Sequence, residues 1–154
     1  MNNILLSINI TLMYSAPLIL AALGGIISER SGVVNIGLEG MMTIGALVGA
    51  VIAYYTGNPW LGFICAGLAG CALAFLHAIA SIKFKADQTI SGLAMNFIGP
   101  GLSLFICKAL FGGTNTSPTV TNKIPKILSW MQNPNKNIWT SNLNVDSTIL
   151  IALL

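Results

Sequence analysis

"SERSGVVNIGLEGMMTIGA", residues 28–46, lies between two apolar runs and belongs to neither. It carries Glu29, Arg30 and Glu39, the amide of Asn35, and Gly32, Gly37, Gly40 and Gly45, yet it leads without a pause into further apolar sequence. Whether this stretch is a plain loop or a polar interruption at membrane depth decides what the chain builds.

Around it there is little charge. Of 154 residues, 55% are hydrophobic and 7% charged, where a soluble domain carries about 25% charged residues. Mean hydropathy is +0.80. So few charges cannot cover a soluble surface, and the composition specifies an all-α integral membrane protein with the lipid bilayer as its first partner. The net charge of +3 is scattered outside the apolar runs. No basic stripe interleaved with aromatics occurs, so nucleic acid is not an expected partner. Cys65, Cys71 and Cys107 fall inside apolar runs without metal or redox spacing and read as small buried hydrophobes. No Lys or Arg precedes the first apolar run, which is too long for the core of a signal peptide.

The pattern predicts about four transmembrane helices and the start of a fifth. Ile4 to Ile27 holds no charge and, at ~1.5 Å per residue, exceeds a hydrocarbon core of about 30 Å. Pro17 is a candidate kink within it. Ile36 to Tyr55 has Glu39 as its only charge and ends on Tyr54 and Tyr55, which suit the headgroup zone. "TGNP", Thr56 to Pro59, is a turn; Trp60 to Ile82 is the third span. "KFKADQ", Lys83 to Gln88, is a polar connection into Thr89 to Phe111, where Gly99, Pro100 and Gly101 are expected to interrupt the helix. Small residues recur at helical spacing in Gly45, Gly49 and Ala53, and again in Ala66, Gly70, Ala74 and Ala78, which suits close helix packing in lipid.

Residues 112–147 are polar and Pro-bearing and read as an extramembrane segment, with a short amphipathic helix over Pro125 to Met131. Ser147 to Leu154 is apolar but too short to span. Residues 1–154 therefore read as one transmembrane domain, incomplete at its C-terminus and the N-terminal part of a longer polytopic protein. Lys83 and Lys85 favour a cytoplasmic second connection, with Arg30 on the same side; Lys123, Lys126 and Lys136 in the long segment pull the other way.

For the opening stretch two readings stand. In the plain one, residues 28–32 are a loop and the second helix happens to start with a carboxylate. In the other, a helix beginning near Val33 puts Glu39 about two turns inside, where a charge at mid-membrane costs roughly 2.5–3.5 kcal/mol. Glycine adds about 1 kcal/mol per residue in a helix interior. Gly32, Asn35, Gly37 and Gly40 then mark a broken second helix lining a polar path. His77, the only histidine, reads as structural or interfacial.

"ERSGVVNIGLEGMMTIGA" resembles the signature near the second membrane segment of bacterial ABC-importer permease subunits of the branched-chain amino acid, ribose and nucleoside type. "NIGLEGMM" is most similar to the purine-nucleoside and simple-sugar branch, and "ADQTISGLAMNFIGPGL", residues 86–102, resembles a second family stretch. The resemblance implies a multi-pass permease of the bacterial plasma membrane. Its partners would be a second permease subunit, cytoplasmic ATP-binding subunits and an extracellular solute-binding protein. It implies no catalytic or metal site and no cofactor on this chain, with ATP bound by partners; no G-x-x-x-x-G-K-[ST] loop occurs here. Asn35, Gly37, Glu39 and Asn96 become candidates for the residues facing solute, with Asn96 equally a helix–helix hydrogen bonder, and Lys83, Lys85 and Asp87 become candidates for ATPase-subunit contact, against the plainer reading of a solvated loop. Such permeases are about twice this length. An ion-coupled secondary transporter and a non-transporting membrane scaffold or truncated remnant are the alternatives.

Overall fold

The computed structural model describes residues 2–122 and 124, and every regular element among them is helical. The chain divides into two units, residues 1–23 with 124–154, and residues 24–123. Four helices are long and apolar enough to cross a membrane, over Ile10–Arg30, Leu38–Thr56, Pro59–Lys83 and Gln88–Leu110.

Helix α1 runs Asn2–Arg30 and continues through Pro17. Within the first unit, Ala16 is buried against Leu12 and Ile19. The hydroxyls of Thr11 and Ser15 bond back to the carbonyls of Ser7 (2.8 Å) and Leu12 (3.0 Å), so these polar atoms need no water along an apolar helix.

In the second unit α1 ends by rule. Gly32 takes φ +87°, a value a side chain disfavours. Its N–H bonds the Glu29 carbonyl (3.0 Å) while the Val33 N–H reaches Ser28 (3.2 Å). This paired pattern is the Schellman stop. Helix α2, Leu38–Thr56, ends on Gly57 at φ +66°, and Asn58 caps helix α3, Pro59–Ala78, by accepting from the Trp60 N–H at 3.1 Å. Pro59 occupies the first helical position, where its missing donor costs nothing. A π-helical turn, Ile79–Lys83, extends α3. Helix α4, Gln88–Leu110, starts on Asp87, whose carboxylate accepts from the Thr89 and Ile90 N–H groups at 2.8 and 3.0 Å.

Helix α2 is the central element, packed along both α3 and α4, which touch each other little. A Cβ on Gly62 would lie 2.7 Å from the Gly49 carbonyl and 2.9 Å from the Ala53 Cβ. The first small-residue stripe therefore is the α2–α3 seam, though Gly62 rather than Gly70 supplies its tightest contact. Met41, Ile44, Leu73 and Met95 form the core, bordered by Leu38, Val48, Ala69 and Ala74. Outward-facing apolar side chains such as Leu68, Phe75, Phe97 and Phe105 suit lipid or a partner helix.

Two expectations change. Helix α4 is unbroken through Gly99, Pro100 and Gly101; local propensity pointed to an interruption that packing overrides. A Cβ on Gly99 would lie 2.5 Å from the Gly40 Cα, so Gly99 and Gly40 are the crossing point of α4 and α2 rather than breaks. The expected break of the second helix lies before α2, over residues 31–37, and α2 itself is continuous. Residues 112–122 hold no helix, and Asn122 donates to the Gly57 carbonyl at 2.9 Å. The expected amphipathic helix at Pro125 to Met131 and the apolar run Ser147 to Leu154 lie outside the described residues.

Candidate functional site: the non-helical approach to helix α2

Between Gly32 and Leu38 the backbone makes no helical ladder, and several of its polar groups are met by side chains from far along the chain. Gln88 donates through Nε2 to the Gly32 carbonyl (3.3 Å) and accepts the Val34 N–H on Oε1 (2.7 Å). His77 Nε2 lies 3.3 Å from the Val34 carbonyl. A carbonyl only accepts, so Nε2 carries a proton toward Val34, while Nδ1 pairs with the Ser91 hydroxyl at 3.0 Å. Asn96 donates through Nδ2 to the Ile36 carbonyl (3.0 Å) and accepts the Gly40 N–H on Oδ1 (2.9 Å). Every second carbonyl, at 32, 34 and 36, thus meets a side chain of α3 or α4. The Val33 carbonyl instead takes the Ser28 hydroxyl at 2.7 Å.

These partners also fix depth. Gln88 opens α4, and Asn96 lies eight residues further in, a distance of about 12 Å at the α-helical rise. The non-helical backbone therefore descends alongside the first two turns of α4, well inside a membrane-spanning helix. Unpaired N–H and C=O groups there would each cost several kcal/mol in hydrocarbon. The three polar side chains remove that cost for the groups they meet, and this is why His77, only 2% exposed, is tolerated. Close approach is needed as well: a Cβ on Gly37 would stand 2.9 Å from the Met95 Cβ and 3.0 Å from the Gly92 carbonyl.

The four residues expected to face solute are brought to one place but differ in availability. Asn35 accepts the Gly37 N–H on Oδ1 (3.0 Å), and its Nδ2 lies 3.5 Å from the Met41 sulfur. Asn96 has its carboxamide oxygen and nitrogen engaged as above. Gly37 is the N-cap of α2 and buried. Glu39 is exposed, and among the described residues its carboxylate makes no hydrogen bond or ion pair. It does not lie two turns inside a helix. Helix α2 starts at Leu38, so Glu39 sits in the first turn, where the dipole favours an anion by about 0.3–1 kcal/mol. Its depth comes from the descending segment instead.

Gln88 and Ser91 carry no distinguishing mark in the sequence, where His77 reads as structural or interfacial. Their partners are 43 to 56 residues away or, for Ser91, on another helix. The one local sign was the polar "DQT" before an apolar run, which reads equally as an ordinary helix cap. Asp87 is that cap, with its carboxylate occupied; Lys83 and Lys85 are exposed in the same connection. The Gln88 contacts to Gly32 and Val34 place this connection beside the end of α1 that bears Arg30.

The family model for the branched-chain amino acid transport system / permease component matches residues 7–154. The chain belongs to that family. The guanosine ABC transporter permease protein NupQ of Bacillus subtilis is 48% identical over 125 residues, 75% of this chain and 39% of the relative. The putative glucose ABC transporter permease protein TsgC13 of Haloferax volcanii is 48% identical over 98 residues, 64% of this chain and 30% of the relative. The nucleoside ABC transporter permease protein NupC of Lactococcus lactis is 40% identical over 106 residues, 65% of this chain and 33% of the relative. The matched region thus spans well under half the length of each of these relatives. No solved structure matches. Family and helices together make this a multi-pass membrane permease chain.

Proposed function

We propose that this chain forms part of the translocation path of an ABC importer for nucleosides or simple sugars. Separate ATPase subunits on the cytoplasmic face would supply the energy, a second permease subunit would complete the path, and an extracellular solute-binding protein would deliver solute. The carrying observation is the non-helical backbone held about 12 Å along a spanning helix beside the free carboxylate of Glu39. Irregular backbone at such depth is tolerated where protein buries it or where it lines a water-filled cavity. A carboxylate without a partner among the described residues favours the second.

Of the four solute-facing candidates, Glu39 is the one whose side chain makes no polar bond among the described residues, while Asn35 and Asn96 each keep one N–H and one lone pair. Glu39 accepts hydrogen bonds from sugar hydroxyls or ring N–H groups, while Asn35, Gly37 and Asn96 shape the wall that presents it. Nucleoside is favoured as solute by two relatives described as guanosine and nucleoside permeases; a relative described as a glucose permease keeps simple sugars in the class. Lys83 and Lys85, exposed beside the Arg30 end of α1, suit an ATPase-subunit contact on the positive, cytoplasmic side.

The test is uptake of radiolabelled nucleoside by the assembled importer carrying Glu39→Gln or Glu39→Leu. Gln keeps an acceptor, so its loss should be modest; Leu should lower kcat/KM by about tenfold or more, the scale of a lost hydrogen bond to a charged group. Normal transport by both variants contradicts the role of Glu39, and uptake of radiolabelled glucose with none of radiolabelled nucleoside reassigns the solute.

A further inference from the structure

We propose that Asn96 is a positioning residue that sets where helix α2 begins. In an α-helix the N–H of residue 40 bonds the carbonyl of residue 36. Here the next bond down, Met41 N–H to the Gly37 carbonyl, is made at 3.2 Å. The Gly40–Ile36 bond is not: the Asn96 carboxamide stands between the two groups, taking the Gly40 N–H at 2.9 Å and giving Nδ2–H to the Ile36 carbonyl at 3.0 Å. One side chain replaces a single rung of the helical ladder without leaving either backbone group unpaired.

The wedge is held from outside the helix it opens. Asn96 sits on α4 between Met95, whose backbone contacts Gly40, and Gly99, which makes the α2–α4 crossing. Gln88 and His77 secure the carbonyls at 32 and 34 upstream. Without the wedge, Gly40 can bond Ile36 directly. Leu38 and Glu39 would then gain acceptors in the carbonyls of Val34 and Asn35, and α2 would lengthen toward its N-terminus. Glu39 would pass from the first turn into the helix body and turn relative to the wall. Asn is the residue type that suits this, since its short carboxamide offers an acceptor and a donor side by side. Asp at 96 would keep the acceptor for Gly40 and set a carboxylate against the Ile36 carbonyl.

This inference rests on the transport reading for its consequence but not for its geometry, and the experiment separates the two. In the importer assembled in lipid nanodiscs, amide hydrogen exchange over residues 34–42 is followed by mass spectrometry for wild type, N96L and N96Q, beside nucleoside uptake. N96L should slow exchange at Leu38 and Glu39 and raise the uptake KM, each by about tenfold, with the amount of assembled complex unchanged. N96Q, which keeps the carboxamide, should stay within about threefold of wild type in both. Should N96L fail to assemble, N96A, which removes both the acceptor and the donor, is read in its place with the same expected shifts. Unchanged exchange at residues 38 and 39, or equal shifts in N96L and N96Q, overturns the wedge. If wild type transports neither nucleoside nor sugar, the transport reading falls while the exchange arm still decides the wedge.

Discussion

At the scale of single residues, the molecule separates side chains that hold backbone from the one left free beside it. His77 shows the first kind. It is buried, links Val34 to Ser91, and ties three parts of the second unit together. His77→Ala strands a carbonyl and a hydroxyl and opens a cavity, so it should cost about 1–3 kcal/mol; thermal unfolding of the detergent-solubilised importer checks this, and an unchanged midpoint would contradict it. Glu39 shows the second kind. Sequence singled out Asn35, Gly37, Glu39 and Asn96 because polar and glycine residues are costly in an apolar run. That logic does not say whether a polar group is already bonded, because Asn96 meets residues 56 and 60 positions away. His77 offered no sequence sign that its ring would reach Val34.

Among the elements, helices α2 and α4 carry the main correction. Gly99, Pro100 and Gly101 read as a break because each disfavours helix taken alone. Tertiary packing gives them different tasks: Gly99 admits α2 at Gly40, while a Cβ on Gly101 meets nothing within 4 Å. Gly101→Ala should therefore be neutral or stabilise by up to about 1 kcal/mol. Gly99→Ala should destabilise and reduce assembly, because backbone rather than a flexible side chain is in the way. Equal behaviour of the two in a thermal-stability assay would contradict the crossing. By contrast, the spans were legible to within a few residues, since long uncharged runs and a Gly-Asn-Pro turn act locally. The start of α2 was not, because a side chain of α4 determines it.

For the whole molecule, family membership and four spanning helices define a permease chain, while the solute and the path remain the proposals that transport measurements address. The central claim is that the approach to α2 borders water. Its most direct test introduces cysteine singly at positions 35–39 of the importer after replacing Cys65, Cys71 and Cys107. Each variant is then exposed to a membrane-impermeant thiol reagent with and without nucleoside and ATP. The cysteine at position 39 should react in at least one state and be protected by solute. Failure of every position to react, in every state, would show a dry seam and contradict a wet approach to α2.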